Sequence, residues 1–100
     1  MPHLFTYGTL QDPYIQQQVF GRSLEGSPDV LNGFRISPEK IMGRYLVAKE
    51  TNSTEDRIEG VVYELEQNEL TKADQYEGAA YKKKKVGLKS GKTAWVYIRA

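Results

Sequence analysis

Two short stretches of this chain combine residue types that can do chemistry. The first is Tyr7-Gly8-Thr9-Leu10, which closes an apolar run from Leu4 and precedes Asp12-Pro13. A strand that ends in glycine just before a helix can turn successive backbone N–H groups toward one point, and glycine lets a ligand come close. Such a nest attracts an anion, for example a carboxylate. The same four residues also fit an ordinary strand-to-helix turn. The second stretch is Ala73-Asp74-Gln75-Tyr76-Glu77-Gly78-Ala79-Ala80-Tyr81. Glu77 falls at the C-terminal end of an expected helix, where the helix dipole disfavours negative charge and pushes a carboxyl pKa upward. Tyr76 and Tyr81 would add desolvation. A carboxyl tuned toward neutrality suits general acid–base catalysis. The plain alternative is a solvated glutamate followed by a glycine cap.

The elements that must carry these residues follow from local signals. Leu4 to Tyr7 is a short strand. Asp12 is a helix N-cap, Pro13 fits the first helical position, and Ile15, Val19 and Phe20 share a face. Gly21 caps that helix. Val30-Leu31 and Phe34 to Ile36 read as short strands joined through Asn32-Gly33. A strand is expected over Gly43 to Lys49, and a polar loop over Thr51 to Arg57. Ile58 to Leu65 is the strongest strand, with Gly60 inside it, a mark of a bulge, a bend or a close ligand. Asn68 is expected to cap a second helix that carries Leu70, Ala73 and Tyr76-Glu77 and ends at Gly78. Strands near Tyr81 to Leu88 and Thr93 to Ile98 are joined by a Ser90-Gly91 turn. Many short strands and two short helices in 100 residues indicate one domain, residues 1–100, built as a compact barrel with helices outside.

Composition narrows the function classes. Hydrophobic residues make up 39% and charged residues 27%, as in soluble globular proteins. No apolar run approaches a membrane span, and the N-terminus lacks a basic-then-apolar leader, so a cytoplasmic address and no membrane partner are expected. With no cysteine and one histidine, His3, neither a thiol nucleophile nor a classical zinc site is expected. Residues 81–100 hold seven basic residues and no acid, whereas residues 1–80 hold seven basic residues and all 13 acids. The basic stretch alternates with Val86, Leu88, Trp95 and Tyr97, as folded strands do, and lysines on a strand resist edge pairing. Nucleic-acid binding is therefore not expected; it would need aromatics interleaved with Lys82 to Lys85 on one face.

Taken together, three motifs resemble the γ-glutamylcyclotransferase-like family, which includes the γ-glutamylamine cyclotransferases and the avirulence-induced-gene-like proteins. They are the opening Tyr7-Gly8-Thr9-Leu10, the strand Gly60-Val61-Val62-Tyr63-Glu64-Leu65, and the stretch from Ala73 to Tyr81. Their order matches that family along nearly the whole chain, with Ala73 standing where leucine is usual. The resemblance implies an α+β fold, a closed or nearly closed small mixed β-barrel with flanking short helices, and a cavity between the opening loop and the glutamate. It implies that Tyr7, Gly8, Thr9 and Leu10 hold a substrate α-carboxylate through backbone N–H groups. Glu77 would be the catalytic acid–base, and Tyr81 would line the site.

The implied reaction cyclises a γ-glutamyl amine or peptide to 5-oxoproline and releases the free amine. It requires no metal or organic cofactor. The implied partner is a small γ-glutamyl molecule, and the protein is expected to be a monomer or a homodimer. Larger relatives carry further C-terminal elements, so the site here is expected to be open or completed by a second subunit. A second reading keeps the barrel and its anion-binding loop as a non-catalytic module that binds a carboxylated metabolite.

Overall fold

Two short helices interrupt a run of seven described strands, and local caps and turns set most of their ends. The computed structural model describes residues 1–41 and 45–100. Its elements in chain order are β1 (His3–Thr6), a 3-10 turn (Thr9–Gln11), α1 (Pro13–Phe20), β2 (Gly26–Asn32), β3 (Phe34–Ile36), β4 (Ala48–Glu50), β5 (Arg57–Glu64), α2 (Gln67–Glu77), β6 (Tyr81–Gly87) and β7 (Thr93–Arg99). Asp12 caps α1 as expected, its carboxylate accepting the Tyr14 N–H at 2.9 Å, and Gly21 ends it in the left-handed conformation. The second helix begins earlier than expected. Glu66, not Asn68, is its N-cap, in a capping box where Glu69 reaches back to the Glu66 N–H. Glu69 is itself buried and gripped by both ends of the Arg22 guanidinium, at 2.8 and 2.9 Å, which draws its pKa down. The strand expected over Gly43 to Lys49 appears as β4, from Ala48; residues 42–44 lie outside the described residues.

The sheet runs β2-β5-β1-β7-β4-β3, with β6 also paired to β7. β5 is central to one half, antiparallel to β1 on one edge (His3↔Glu64 to Thr6↔Val61) and to β2 on the other. β7 is central to the other half. One of its edges carries β6 over its full length, from Tyr81↔Arg99 to Gly87↔Thr93. Its second edge is shared in parallel by β1 at Leu4↔Trp95 and by β4 at Ala48↔Ile98.

These ladders do not close into the expected barrel among the described residues. What approaches the outer edge of β2 is a turn, not a strand: the Lys89 N–H reaches the Val30 carbonyl at 2.9 Å, and Ser90 bonds the Asp29 carboxylate. One backbone bond and one side-chain clasp stand where a closed barrel would have a ladder.

Period-two alternation builds the core. Leu4/Phe5, Val62/Tyr63 and Val96/Tyr97 send successive side chains to two different clusters. Phe5, Leu31, Phe34, Ile58, Val62 and Val96 pack on one side of the sheet. Leu4, Tyr63 and Tyr97 pack on the other, under Phe20 of α1 and Leu70 and Ala73 of α2. Gly60 answers to packing. A Cβ there would lie 2.3 Å from the Thr6 carbonyl oxygen and 2.7 Å from the Phe5 ring, so the close neighbour is β1 and not a ligand.

Candidate active site

Leu70, Ala73 and Glu77 lie three and four residues apart on α2, which puts them on one face. Leu70 and Ala73 are buried in the core, and Glu77 continues the same stripe past the edge of the packing. The helix then stops, because Gly78 takes φ +73° and its N–H returns to the Asp74 carbonyl at 3.0 Å. Glu77 thereby lines a cavity of about 520 Å³. The 7–10 segment lines the same cavity, and Tyr45, Leu46, Tyr76, Tyr81 and Tyr97 supply most of the remaining wall. The expected site residues Tyr7, Gly8, Thr9, Leu10, Glu77 and Tyr81 therefore all border one space.

Burial raises the Glu77 pKa to about 7. Of the two causes expected of the sequence, the helix end and desolvation, desolvation is the one that accounts for it. Among the described residues no hydrogen bond or ion pair satisfies this carboxyl, and its negative charge reaches the phenols of Tyr7, Tyr81 and Tyr97.

In the opening loop the carbonyls of Thr6, Gly8, Thr9 and Leu10 are tied, and three amides are open. Gln11 Nε2 donates to the Thr6 carbonyl at 2.8 Å, and buried Gln16 donates to the Leu10 carbonyl at 2.9 Å. The carbonyls of Gly8 and Thr9 accept from the Gln11 and Asp12 N–H groups at 3.1 and 3.0 Å. The N–H groups of Gly8, Thr9 and Leu10 donate to no protein acceptor among the described residues. A Cβ at Gly8 would meet no protein atom within 4 Å, so the missing side chain leaves room beside those amides. Backbone donors that bonded neither protein nor ligand would need water.

The loop's side chains have other duties. Leu10 is buried in the core beneath the helices. The Tyr7 hydroxyl donates to the Tyr97 carbonyl at 2.6 Å and accepts the Ala48 N–H at 3.0 Å, bracing β4 against β7. Thr9 Oγ1 lies 2.8 Å from the Tyr76 hydroxyl, joining the loop to the end of α2. The Tyr81 hydroxyl donates to the Leu46 carbonyl at 2.7 Å. Sequence reasoning left out Tyr97 and the part played by Asp74. Tyr97 lines the cavity and donates to Asp74 Oδ1 at 2.7 Å, while Lys83 Nζ holds Asp74 Oδ2 at 2.7 Å. Tyr97 alternates with Val96 on β7, the one available signal that it faces the helix side.

The model of the gamma-glutamyl cyclotransferase, AIG2-like family matches residues 4–100. The chain belongs to that family. No curated protein matches its sequence significantly. Solved structures show the same fold at low identity. An Arabidopsis thaliana protein of known solution structure is 20% identical with a TM-score of 0.80, covering 98% of this chain and 61% of its own. An uncharacterised Pyrococcus horikoshii protein is 18% identical with a TM-score of 0.74, covering 99% and 78%. A gamma-glutamyl cyclotransferase is 18% identical with a TM-score of 0.75, covering 99% and 66%. The chain thus spans about three-fifths of the length of that Arabidopsis relative. As a member of this family it has a mixed α+β fold of seven described strands and two α-helices.

Other chemistry finds less support in the same residues. Among the described residues no group of three His, Cys, Asp or Glu side chains is placed to hold a metal. No described helix is long and apolar enough to cross a membrane. The lysine run is engaged with its surroundings: Lys83 pairs with Asp74, Lys84 with Glu50, and Lys83 and Lys85 both lie over the Trp95 ring, at 5.4 and 4.9 Å.

Proposed function

We propose that this chain is a γ-glutamyl cyclotransferase that converts a γ-glutamyl amide to 5-oxoproline and a free amine, with Glu77 as its acid–base group. The observation that carries the reading is the pairing, across one cavity, of an unpartnered carboxyl titrating near neutrality with a loop of uncommitted backbone donors. The donors suit the substrate's α-carboxylate. The curl of the bound γ-glutamyl chain brings its own α-nitrogen to the γ-carbonyl, a proximity effect worth several kcal/mol.

The Glu77 carboxylate accepts a proton from the α-ammonium and frees the lone pair. The nitrogen attacks the γ-carbonyl carbon, forming the ring C–N bond. The bond to the leaving nitrogen then breaks as the Glu77 carboxylic acid returns its proton there. The second proton shed by the ring nitrogen passes through solvent to the released amine. No water is consumed and no oxidation state changes. A pKa of about 7 leaves both forms of Glu77 populated at neutral pH, as a group that takes and returns one proton requires.

The test is 5-oxoproline release from a panel of γ-glutamyl peptides and amines, comparing the native chain with Glu77→Gln. Turnover of a panel member, lowered by about 10²–10⁴-fold in the variant, is the expected result. The kcat/KM of the native chain should rise with pH through about 7, as the carboxylate forms. Equal activity in both proteins would remove Glu77 from the reaction. Binding without turnover in either would instead favour a non-catalytic carboxylate-binding module.

A further inference from the structure

Two phenols that line the cavity have protons pointing in determined directions. The Tyr81 hydroxyl donates to the Leu46 carbonyl, and the Tyr97 hydroxyl donates to Asp74 Oδ1. A phenol has one proton to give and keeps lone pairs to accept with. A backbone carbonyl cannot donate in return. Nor can the Asp74 carboxylate, whose other oxygen is held by Lys83. Burial raises the pKa of both tyrosines, so their protons stay in place at neutral pH. Tyr81 and Tyr97 both line the cavity, and each hydroxyl has spent its proton and keeps only the capacity to accept. The same cavity is bordered by the Glu77 carboxyl and by the Gly8, Thr9 and Leu10 segment, whose N–H groups donate to no protein acceptor among the described residues.

A cavity with donors in one part and acceptors in another is polarised for a zwitterion. We infer that Tyr81 and Tyr97 bind the α-ammonium of an amino-acid-like ligand, and that Asp74 is the positioning residue that fixes Tyr97 as an acceptor. The inference rests on the proposed reading for the ligand's class, and adds the residues that recognise its amine. Asp74 does not touch the ligand. Its carboxylate, neutralised by Lys83, determines which way the Tyr97 proton points. An ammonium held by phenol oxygens beside Glu77 is also placed to lose its proton to that carboxyl.

Two probes that differ only in the α-amine test this: L-glutamine and glutaric acid monoamide. Each is titrated by NMR into the 15N-labelled native chain and into Tyr97→Phe, Tyr81→Phe and Asp74→Asn. Hydrogen bonds to a charged group typically contribute about 1.5–3 kcal/mol, so the native chain should prefer L-glutamine by roughly tenfold or more. Tyr97→Phe and Tyr81→Phe should each shrink that preference several-fold and leave the affinity for the monoamide unchanged. Asp74→Asn should do the same with Tyr97 intact, because an amide can donate to the phenol oxygen and release its proton toward the ligand. A native chain without preference for L-glutamine overturns the inference. So does an unchanged preference in the phenylalanine variants, or a parallel loss for both probes, which marks a structural role. If amine-dependent binding behaves as expected while no γ-glutamyl compound is turned over, the inference stands and the cyclotransferase reading falls.

Discussion

A carboxyl whose proton affinity is raised by burial alone opposes folding whenever it ionises. Glu77 titrates near 7 in the folded chain against an ordinary value of 4.5, so the native state holds its proton more tightly than the unfolded chain does. Its contribution to stability is therefore fully present below about 4.5 and is lost as pH rises through about 7. Glutamine keeps the shape and cannot ionise. Thermal melts of the native chain and Glu77→Gln should coincide near pH 4.5, and the variant should melt higher at pH 8. Equal melting temperatures at both pH values would mean that Glu77 is solvated in the folded chain, and would weaken its case as an acid–base group. An activity loss joined to a stability gain is the pattern of a group held in a costly environment for its chemistry.

At the scale of elements, two glycines make opposite demands. Gly60 on β5 faces the Thr6 carbonyl and the Phe5 ring at distances no Cβ can occupy, whereas Gly8 borders open space. Gly60→Ala should force β1 from β5 and destabilise the fold by about 1–3 kcal/mol, the usual cost of overpacking. Gly8→Ala should melt with the native chain yet bind L-glutamine at least several-fold more weakly, because its methyl group would occupy the space beside the free amides. A normal affinity in Gly8→Ala would remove the loop from the binding site. The same elements mark what sequence can and cannot yield. Asp12-Pro13, Gly21 and Gly78 were legible because capping is decided within a few residues. The helix carrying Leu70, Ala73 and Glu77 was legible for the same reason, whereas the burial of Glu77, which its spacing left open to solvent, is shown by the structure. The Glu66 cap was not legible, since it is secured by Glu69 and by Arg22 from a distant segment. Tyr97 was hidden as well: its place depends on Asp74, 23 residues away, and on the register of β6 with β7. Gly60 was legible as a special position, but only the packing shows that a strand and not a ligand needs the space.

In the whole molecule the two halves of the sheet meet at β1 and β7, and their far ends meet at a clasp. The buried Asp29 carboxylate accepts from the Val30 N–H at 2.8 Å, the Ser90 N–H at 3.2 Å and the Ser90 hydroxyl at 2.5 Å, beside the Lys89-to-Val30 backbone bond. Burial alone would raise the Asp29 pKa, and these bonds overcome it, so the group titrates below its ordinary 3.8. Such a carboxylate stabilises the fold above about 3.8, and that stability is lost as pH falls through the lowered value. Asp29→Ala leaves three donors without an acceptor and should cost about 2–4 kcal/mol at pH 7, with a smaller difference from the native chain at pH 3. Native-state hydrogen exchange locates the effect. The amides of Lys89 and Ser90 should lose protection first, while those of β1 and β5 should follow the global stability. If all amides lose protection equally, the clasp belongs to the cooperative core, and opening the β2 edge unfolds the molecule. Loss confined to residues 89 and 90 would show that β1 and β7 hold the two halves together without it, which is what the split edge of β7 predicts.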